Sequence, residues 1–191
     1  MDTKKKKSRR GFGLILLGIV LGTGLVAVFL GELHYSASEE FCITCHEMES
    51  NVYMEYQNTA HYLNKSGVRA TCSDCHLSKN IIQKVARKAK AVNEVIQHLK
   101  GTIDSREKFK EKRMELAQRV WSEMRENDSR ECRSCHNAEQ MDYTKQTNRA
   151  MVQHIQGEKE GKTCIDCHKG IAHLLPDMYE LDPSAVIGEG K

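Results

Sequence analysis

All eight cysteines of this 191-residue chain fall into four Cys-x-x-Cys-His pentapeptides: Cys42–His46, Cys72–His76, Cys132–His136 and Cys164–His168. No cysteine is left over, so whatever these pentapeptides bind must organise the fold. Two thiols at this spacing can add to the two vinyl groups of one porphyrin edge, and the adjacent imidazole then falls beneath the iron. Zinc ribbons and disulfide frameworks also use two-residue cysteine spacings. Neither gives a reason for a His directly after the second Cys in four cases out of four. The pattern therefore predicts four covalently attached haems c, held by Cys42, Cys45, Cys72, Cys75, Cys132, Cys135, Cys164 and Cys167, with His46, His76, His136 and His168 beneath the irons.

The apolar residues are unevenly spread. Gly11 to Gly31 contains no charged residue, and as a helix these 21 positions would reach about 31 Å, enough for a bilayer core of about 30 Å. A cleaved signal peptide shares the pattern of a charged start and an apolar run. Its apolar region normally spans only about 7–15 residues, however, and the best small-residue site, Ser36 to Ser38, is unconvincing. An uncleaved anchor is expected. Lys4, Lys5, Lys6, Lys7, Arg9 and Arg10 crowd its amino-terminal flank and should stay cytoplasmic, which sends the remainder to the periplasm of an inner membrane. Gly18 and Gly22 have the small-xxx-small spacing that lets two such helices approach closely, so a homodimer through the anchor is one partner arrangement the sequence allows.

The net charge of +3 is misleading for partners. The first ten residues hold six basic groups and one acid, leaving a net −2 beyond the anchor, so nucleic acid gains no support as a partner.

The expected fold is mainly α: one transmembrane helix and a small multihaem domain with little β-structure. Its segments are a basic stretch at 1–10, the anchor at 11–31, the haem domain at 32–176 and a loose tail at 177–191. The first cysteines of the motifs, Cys42, Cys72, Cys132 and Cys164, are separated by 30, 60 and 32 residues, which suggests two dihaem halves joined by a longer insert. With four Phe and one Trp in the chain, porphyrins must supply much of the apolar core, and apoprotein should fold poorly. Within the insert, Ile81, Val85, Ala89, Val92, Ile96 and Leu99 recur at helical steps between Ser78 and Lys100, with Gly101 placed to end the helix. Asp104 followed by Glu107 resembles a cap for a second, highly charged helix through about Arg125.

Nine histidines less the four in the motifs leave His34, His61, His98, His154 and His173 as distal candidates. Low-potential multihaem carriers hold each iron between two imidazoles, whereas an open or weak sixth position can meet substrate. The first motif differs from the rest, because Met48 follows two residues after His46.

Together with the anchor, the Cys42-Ile-Thr-Cys-His46-Glu-Met48 site, Gly101-Thr102-Ile103-Asp104 and the terminal Cys164-Ile-Asp-Cys-His-Lys-Gly-Ile-Ala-His173, the chain resembles the NapC/NirT family of membrane-anchored tetrahaem cytochromes c. The resemblance implies a quinol dehydrogenase that oxidises menaquinol or ubiquinol and passes electrons to a periplasmic reductase of nitrate, nitrite or another oxide in anaerobic respiration. It further implies that Met48 is a candidate ligand of haem 1, with His46 displaced in part of the family. A family acid beside that iron and the quinol aligns with Glu94, and a neighbouring lysine with Lys88, or with Arg87 if the register slips by one. The distal ligands follow as His154 for haem 2, His173 for haem 3 and His61 for haem 4. His98 then serves the quinol or faces solvent. The basic, apolar-striped insert helix would suit a place near anionic headgroups. A terminal small-oxide reductase working at an open haem 1, and a passive relay or haem sensor, are the competing functions.

Overall fold

The computed structural model describes residues 2–176, with side chains from Gly11 onward; the expected loose tail lies outside the described residues. Among the described residues the regular structure is helical, with no strand. The nine α-helices are α1 (Asp2–Tyr35), α2 (Glu39–Cys42), α3 (Met54–Tyr56), α4 (Cys72–His76), α5 (Ile81–Leu99), α6 (Arg106–Glu126), α7 (Arg130–Arg133), α8 (Asn148–Lys159) and α9 (Cys164–Cys167). A π-helical turn, Met48–Tyr53, follows the first motif.

Helix α1 holds the apolar run and continues four residues past Gly31, to Tyr35. Its segment Gly11–Tyr35 is long and apolar enough to cross a membrane, and none of it is buried against the rest of the chain. The insert forms two helices as expected, but the second begins one residue later than its predicted cap. Ser105 is in extended conformation and its hydroxyl accepts from the Lys108 amide at 3.3 Å. Asp104 instead accepts from Lys108 Nζ at 2.7 Å. Gly101 ends the preceding turn at φ +65°, a backbone region glycine enters without a Cβ clash.

The first cysteine of each motif lies in a one-turn helix, α2, α4, α7 or α9. Motifs two and four read Thr-Cys-x-Asp-Cys-His and form the same capping box. Asp74 accepts from the Thr71 amide at 2.9 Å, and Asp166 from the Thr163 amide at 2.8 Å. The reciprocal bond to the N3 amide is present in both, so two otherwise orphaned donors are satisfied in so short a helix. Motif three is entered through Ser129 in the left-handed region at φ +48°. Its fully buried hydroxyl accepts from the Ile165 amide of α9 at 3.1 Å, joining motifs three and four.

Helix α2 packs on α4, α4 on α7, and α6 on α9. The first contact joins motifs one and two, and the second joins motifs two and three across the long insert. The insert is thus an excursion, and the motifs it separates in sequence meet in space. Few side chains are buried: the buried apolar residues among those described are Tyr56, Phe109 and Ile165. That small core matches a fold whose interior is completed by large prosthetic groups.

Candidate haem centres

Three pairs of histidines meet at one recurring spacing. The His76 and His173 rings lie 6.4 Å apart, centre to centre, with planes 24° from parallel. His154 and His168 are 5.9 Å apart and 30° from parallel, and His61 and His136 are 6.2 Å apart. Two metal–imidazole bonds of about 2 Å plus about 1 Å from each bonding nitrogen to its ring centre give about 6 Å. The donor sets therefore fit a metal shared between imidazoles, and the six cysteines of motifs two to four beside them are free thiols.

The set of distal histidines expected from sequence, His61, His154 and His173, is the set found at these pairs, but the partners differ. His173 joins the second motif, not the third; His61 joins the third, not the fourth; and His154 joins the fourth, not the second. The reason is long-range packing. Because α4 lies against α7, the loop carrying His61 reaches motif three and the carboxyl-terminal segment carrying His173 reaches motif two.

The rings of His154 and His173 are steered by their surroundings. His154 Nδ1 lies 2.6 Å from Gln146 Oε1, and His173 Nδ1 lies 3.2 Å from the Val52 carbonyl. A ring that donates from Nδ1 presents Nε2 as its lone pair, the arrangement that orients metal-bound histidines. Burial lowers the His173 pKa below its usual value, opposed by the Val52 bond, and favours the neutral form that ligates. Beside His173, Leu174 is clamped: its amide donates to Glu55 Oε2 at 2.9 Å, and its carbonyl accepts from Arg113 Nη2 at 2.6 Å. Glu55 and Arg113 also meet in a two-pronged pair, both only about one-seventh exposed. Although burial pushes Glu55 up, the Arg113 and Leu174 bonds hold its pKa below the usual carboxylate value. His61 depends on Tyr56, whose buried hydroxyl donates to the carbonyls of His61 and Ala70 at the two ends of its loop.

The first motif is different. His46 and His98 lie 6.3 Å apart, but a carboxylate sits between them. Glu47, 2% exposed, has Oε1 at 2.5 Å from His98 Nδ1 and Oε2 at 3.3 Å from His46 Nδ1. His46 Nε2 faces the Asp104 carbonyl at 3.1 Å. Met48 is half-buried at the start of the π-helical turn. Glu47 was not among the residues expected from sequence; its only signal was an acid between His46 and Met48.

The two residues expected to act on quinol lie on different faces of α5. Lys88 turns to the anchor: its Nζ donates to the Ser36 carbonyl at 2.5 Å and lies 5.7 Å from the Phe41 ring centre, next to Cys42. Burial, with the neighbouring cations Lys84 and Arg87, lowers its pKa below the ordinary lysine value. Glu94 is half exposed and pairs at 2.9 Å with Arg87, which also reaches Glu123 at 3.5 Å. Lys88 and Glu94 are not brought together. His34 lies in the last turn of α1, at the end of the apolar run.

Known proteins resemble this chain over most of its length. Residues 4–178 match the NapC/NirT cytochrome c family, N-terminal region. The chain is 49% identical to the cytochrome c-type protein NapC of Escherichia coli K12 over 177 residues, which cover 92% of this chain and 88% of that protein. It is 51% identical to NapC of Paracoccus pantotrophus, across 89% of this chain and 72% of the relative. The denitrification system component NirT of Stutzerimonas stutzeri is 48% identical, across 89% of this chain and 85% of its own length. No solved structure is significantly similar. The chain belongs to the NapC/NirT family of c-type cytochromes and, as such a cytochrome, carries covalently bound haem c.

Proposed function

We propose that this protein is a membrane-anchored tetrahaem cytochrome that oxidises membrane quinol and delivers the electrons to periplasmic reductases of nitrate, nitrite or a related oxide. It sits in the inner membrane with its basic amino terminus in the cytoplasm. Haems 2, 3 and 4 are held by His76 with His173, His136 with His61, and His168 with His154. Haem 1 is held by Met48. When bound, haem c supplies one-electron acceptors.

Quinol oxidation releases two protons as well as two electrons, so side chains must bind the ring and take protons. The observation that carries the reading is the Lys88 Nζ to Ser36 carbonyl contact at 2.5 Å. It ties the insert helix to the end of the apolar anchor beside Cys42, where a lipid-soluble ring would meet the haem domain. The face of α5 near Lys88 bears the exposed apolar residues Ile81, Val85, Val92 and Val95, suited to that ring and to the acyl boundary. Lys88 donates to one quinol oxygen, Glu94, paired with Arg87 on another face of α5, takes up a proton released from the other hydroxyl, and the second proton leaves to bulk water. Relatives named for a denitrification system and for cytochromes c support the respiratory setting.

The test is haem reduction in proteoliposomes loaded with a menaquinol or ubiquinol analogue. Rapid reduction by quinol, slowed at least tenfold in Glu94→Gln while dithionite still reduces every haem, is expected. Unchanged quinol kinetics would remove Glu94 from the mechanism. Absence of quinol reduction in the wild type, with rapid reoxidation by nitrite or hydroxylamine without a partner, would replace the proposal by a terminal reductase.

A further inference from the structure

We infer that Ser129 is a positioning residue for haem 4: although it opens the third motif, its hydroxyl completes the first turn of the fourth and so sets the His168 ring against His154. This rests on the tetrahaem reading given above. Helix α6 ends in two successive left-handed residues, Asp128 at φ +57° and Ser129 at φ +48°. A Cβ is crowded in that region, and the other positive-φ positions among the described residues are glycines, Gly67, Gly101, Gly161 and Gly170. Glycine would make the turn at Ser129 with less strain. The reason for a side chain there lies outside the turn.

Ser129 takes part in three helix ends at once. Its amide donates to the Met124 carbonyl at 2.7 Å where α6 closes, and its carbonyl accepts from the Arg133 amide at 3.1 Å where α7 closes. Its hydroxyl, on a residue 0% exposed, accepts from the Ile165 amide of α9 at 3.1 Å. A helix cannot satisfy its own first amides. In α9 the capping box serves the Asp166 amide through the Thr163 side chain, and the Thr163 amide through the Asp166 carboxylate. The Ile165 amide, between the two, is served from another motif. The same turn closes on His168, whose amide donates to the Cys164 carbonyl at 2.9 Å. The hold on Ile165 therefore reaches the imidazole that faces His154 at 5.9 Å. The left-handed pair is fixed in its turn by Arg133, whose Nε donates to the Asp128 carbonyl at 2.9 Å and whose Nη2 donates to Asp128 Oδ1 at 3.0 Å. A second link, Arg125 Nε to Asp166 Oδ1 at 2.7 Å, keeps α9 against α6.

The test uses the full-length, haem-loaded protein in detergent, normalised to haem content, and reads electron paramagnetic resonance of the oxidised state together with hydrogen exchange. Nearly perpendicular imidazoles give a ferric haem a highly anisotropic signal, and imidazoles closer to parallel give a rhombic one. Haem 3, with its rings at 79°, should therefore stand apart from haem 2 at 24° and haem 4 at 30°. Of the two rhombic signals, that of haem 4 is the one lost in His154→Ala. Ser129→Gly keeps the turn that opens motif three and removes the acceptor. Its haem 4 signal should shift or broaden while those of haems 2 and 3 stay as in the wild type, and amides in 163–168 should exchange at least tenfold faster. Ser129→Ala should show the same haem 4 change with a lower thermal midpoint than Ser129→Gly, because alanine also strains the turn; a merely structural serine would make the spectral change follow stability. An unchanged haem 4 signal in Ser129→Gly overturns the assignment, as does a change confined to haem 3 or spread equally over haems 2, 3 and 4. If neither variant accumulates, Asp128→Ala, at a side chain 68% exposed, loosens the left-handed pair and keeps the serine. It should speed exchange in 163–168 by a smaller factor, and unchanged exchange there overturns the assignment. Quinol turnover is a separate reading: its absence in the wild type, with the signals as expected, sinks the proposed function and leaves the role of Ser129 standing.

Discussion

The rings of His76 and His173 come within 6.4 Å, centre to centre, although one lies in the second motif and the other near the end of the described chain. The contact is maintained by a clamp one residue beyond His173, where Arg113 and Glu55 grip both backbone groups of Leu174. Arg113→Met leaves Glu55 a nearly buried carboxylate without its cation. Removing one partner of such a pair is expected to destabilise by about 2–3 kcal/mol. The haem 2 low-spin signal in electron paramagnetic resonance should lose intensity in parallel, as His173 is freed. A variant with unchanged thermal midpoint and an intact signal would show that the clamp does not position His173.

Acid stability follows from the same carboxylates. Asp74 is held down to about 2, burial being outweighed by its bonds to Lys79 and Thr71, and Glu55 and Asp166 are also lowered. A depressed folded-state value contributes stability that is present above the unfolded value, 3.8 for Asp74, and lost as pH falls toward the folded one. Unfolding should therefore steepen between about pH 4 and pH 2. Because Lys79 is largely exposed, solvent screening reduces the expected contribution to about 1–2 kcal/mol. Asp74→Asn should lower stability by that amount at pH 7 and flatten the acid limb of a denaturation series; an unchanged limb would contradict it.

Tyr56 ties both ends of the His61 loop through one hydroxyl. In Tyr56→Phe the Ala70 carbonyl loses that donor, while the His61 carbonyl keeps the Ala70 amide at 3.0 Å, at a cost of about 1–3 kcal/mol. His61 should then wander, so the haem 3 spectrum should broaden while haems 2 and 4 keep theirs. Equal broadening at all sites would point to general loosening instead.

The local features of this fold could be read from sequence, and the long-range ones could not. The motifs, the apolar run and the period of α5 rest on spacing or residue type, whereas the choice of His61, His154 and His173 among five spare histidines came with the family resemblance. Their pairing rests on α4 meeting α7 across the insert, which no local pattern encodes. The cap of α6 slipped from Asp104 to Ser105 because Asp104 is occupied by Lys108, with its carbonyl facing His46. Glu47 was missed for a related reason. An acid beside a motif histidine reads as a solvated charge until His98 and Asn51 are seen to bury it.

Lys88 and Glu94 should separate kinetically if they do different work. Lys88 Nζ sits at the anchor's end, beside the Phe41 ring, where it can hold a quinol oxygen in ground state and transition state alike. Lost uniform binding raises KM and leaves kcat little changed. Lys88→Met keeps the aliphatic stem and removes the ammonium, so KM for a quinol analogue in proteoliposomes should rise about tenfold, or about 1.4 kcal/mol. Glu94 has its carboxylate paired to Arg87, and as a proton acceptor it acts on the reacting bond; Glu94→Gln should lower kcat with KM nearly unchanged. Dithionite reduction of all haems should be normal in both variants. If Lys88→Met lowers kcat alone, the lysine acts in the chemical step and the division of labour between the two faces of α5 is wrong.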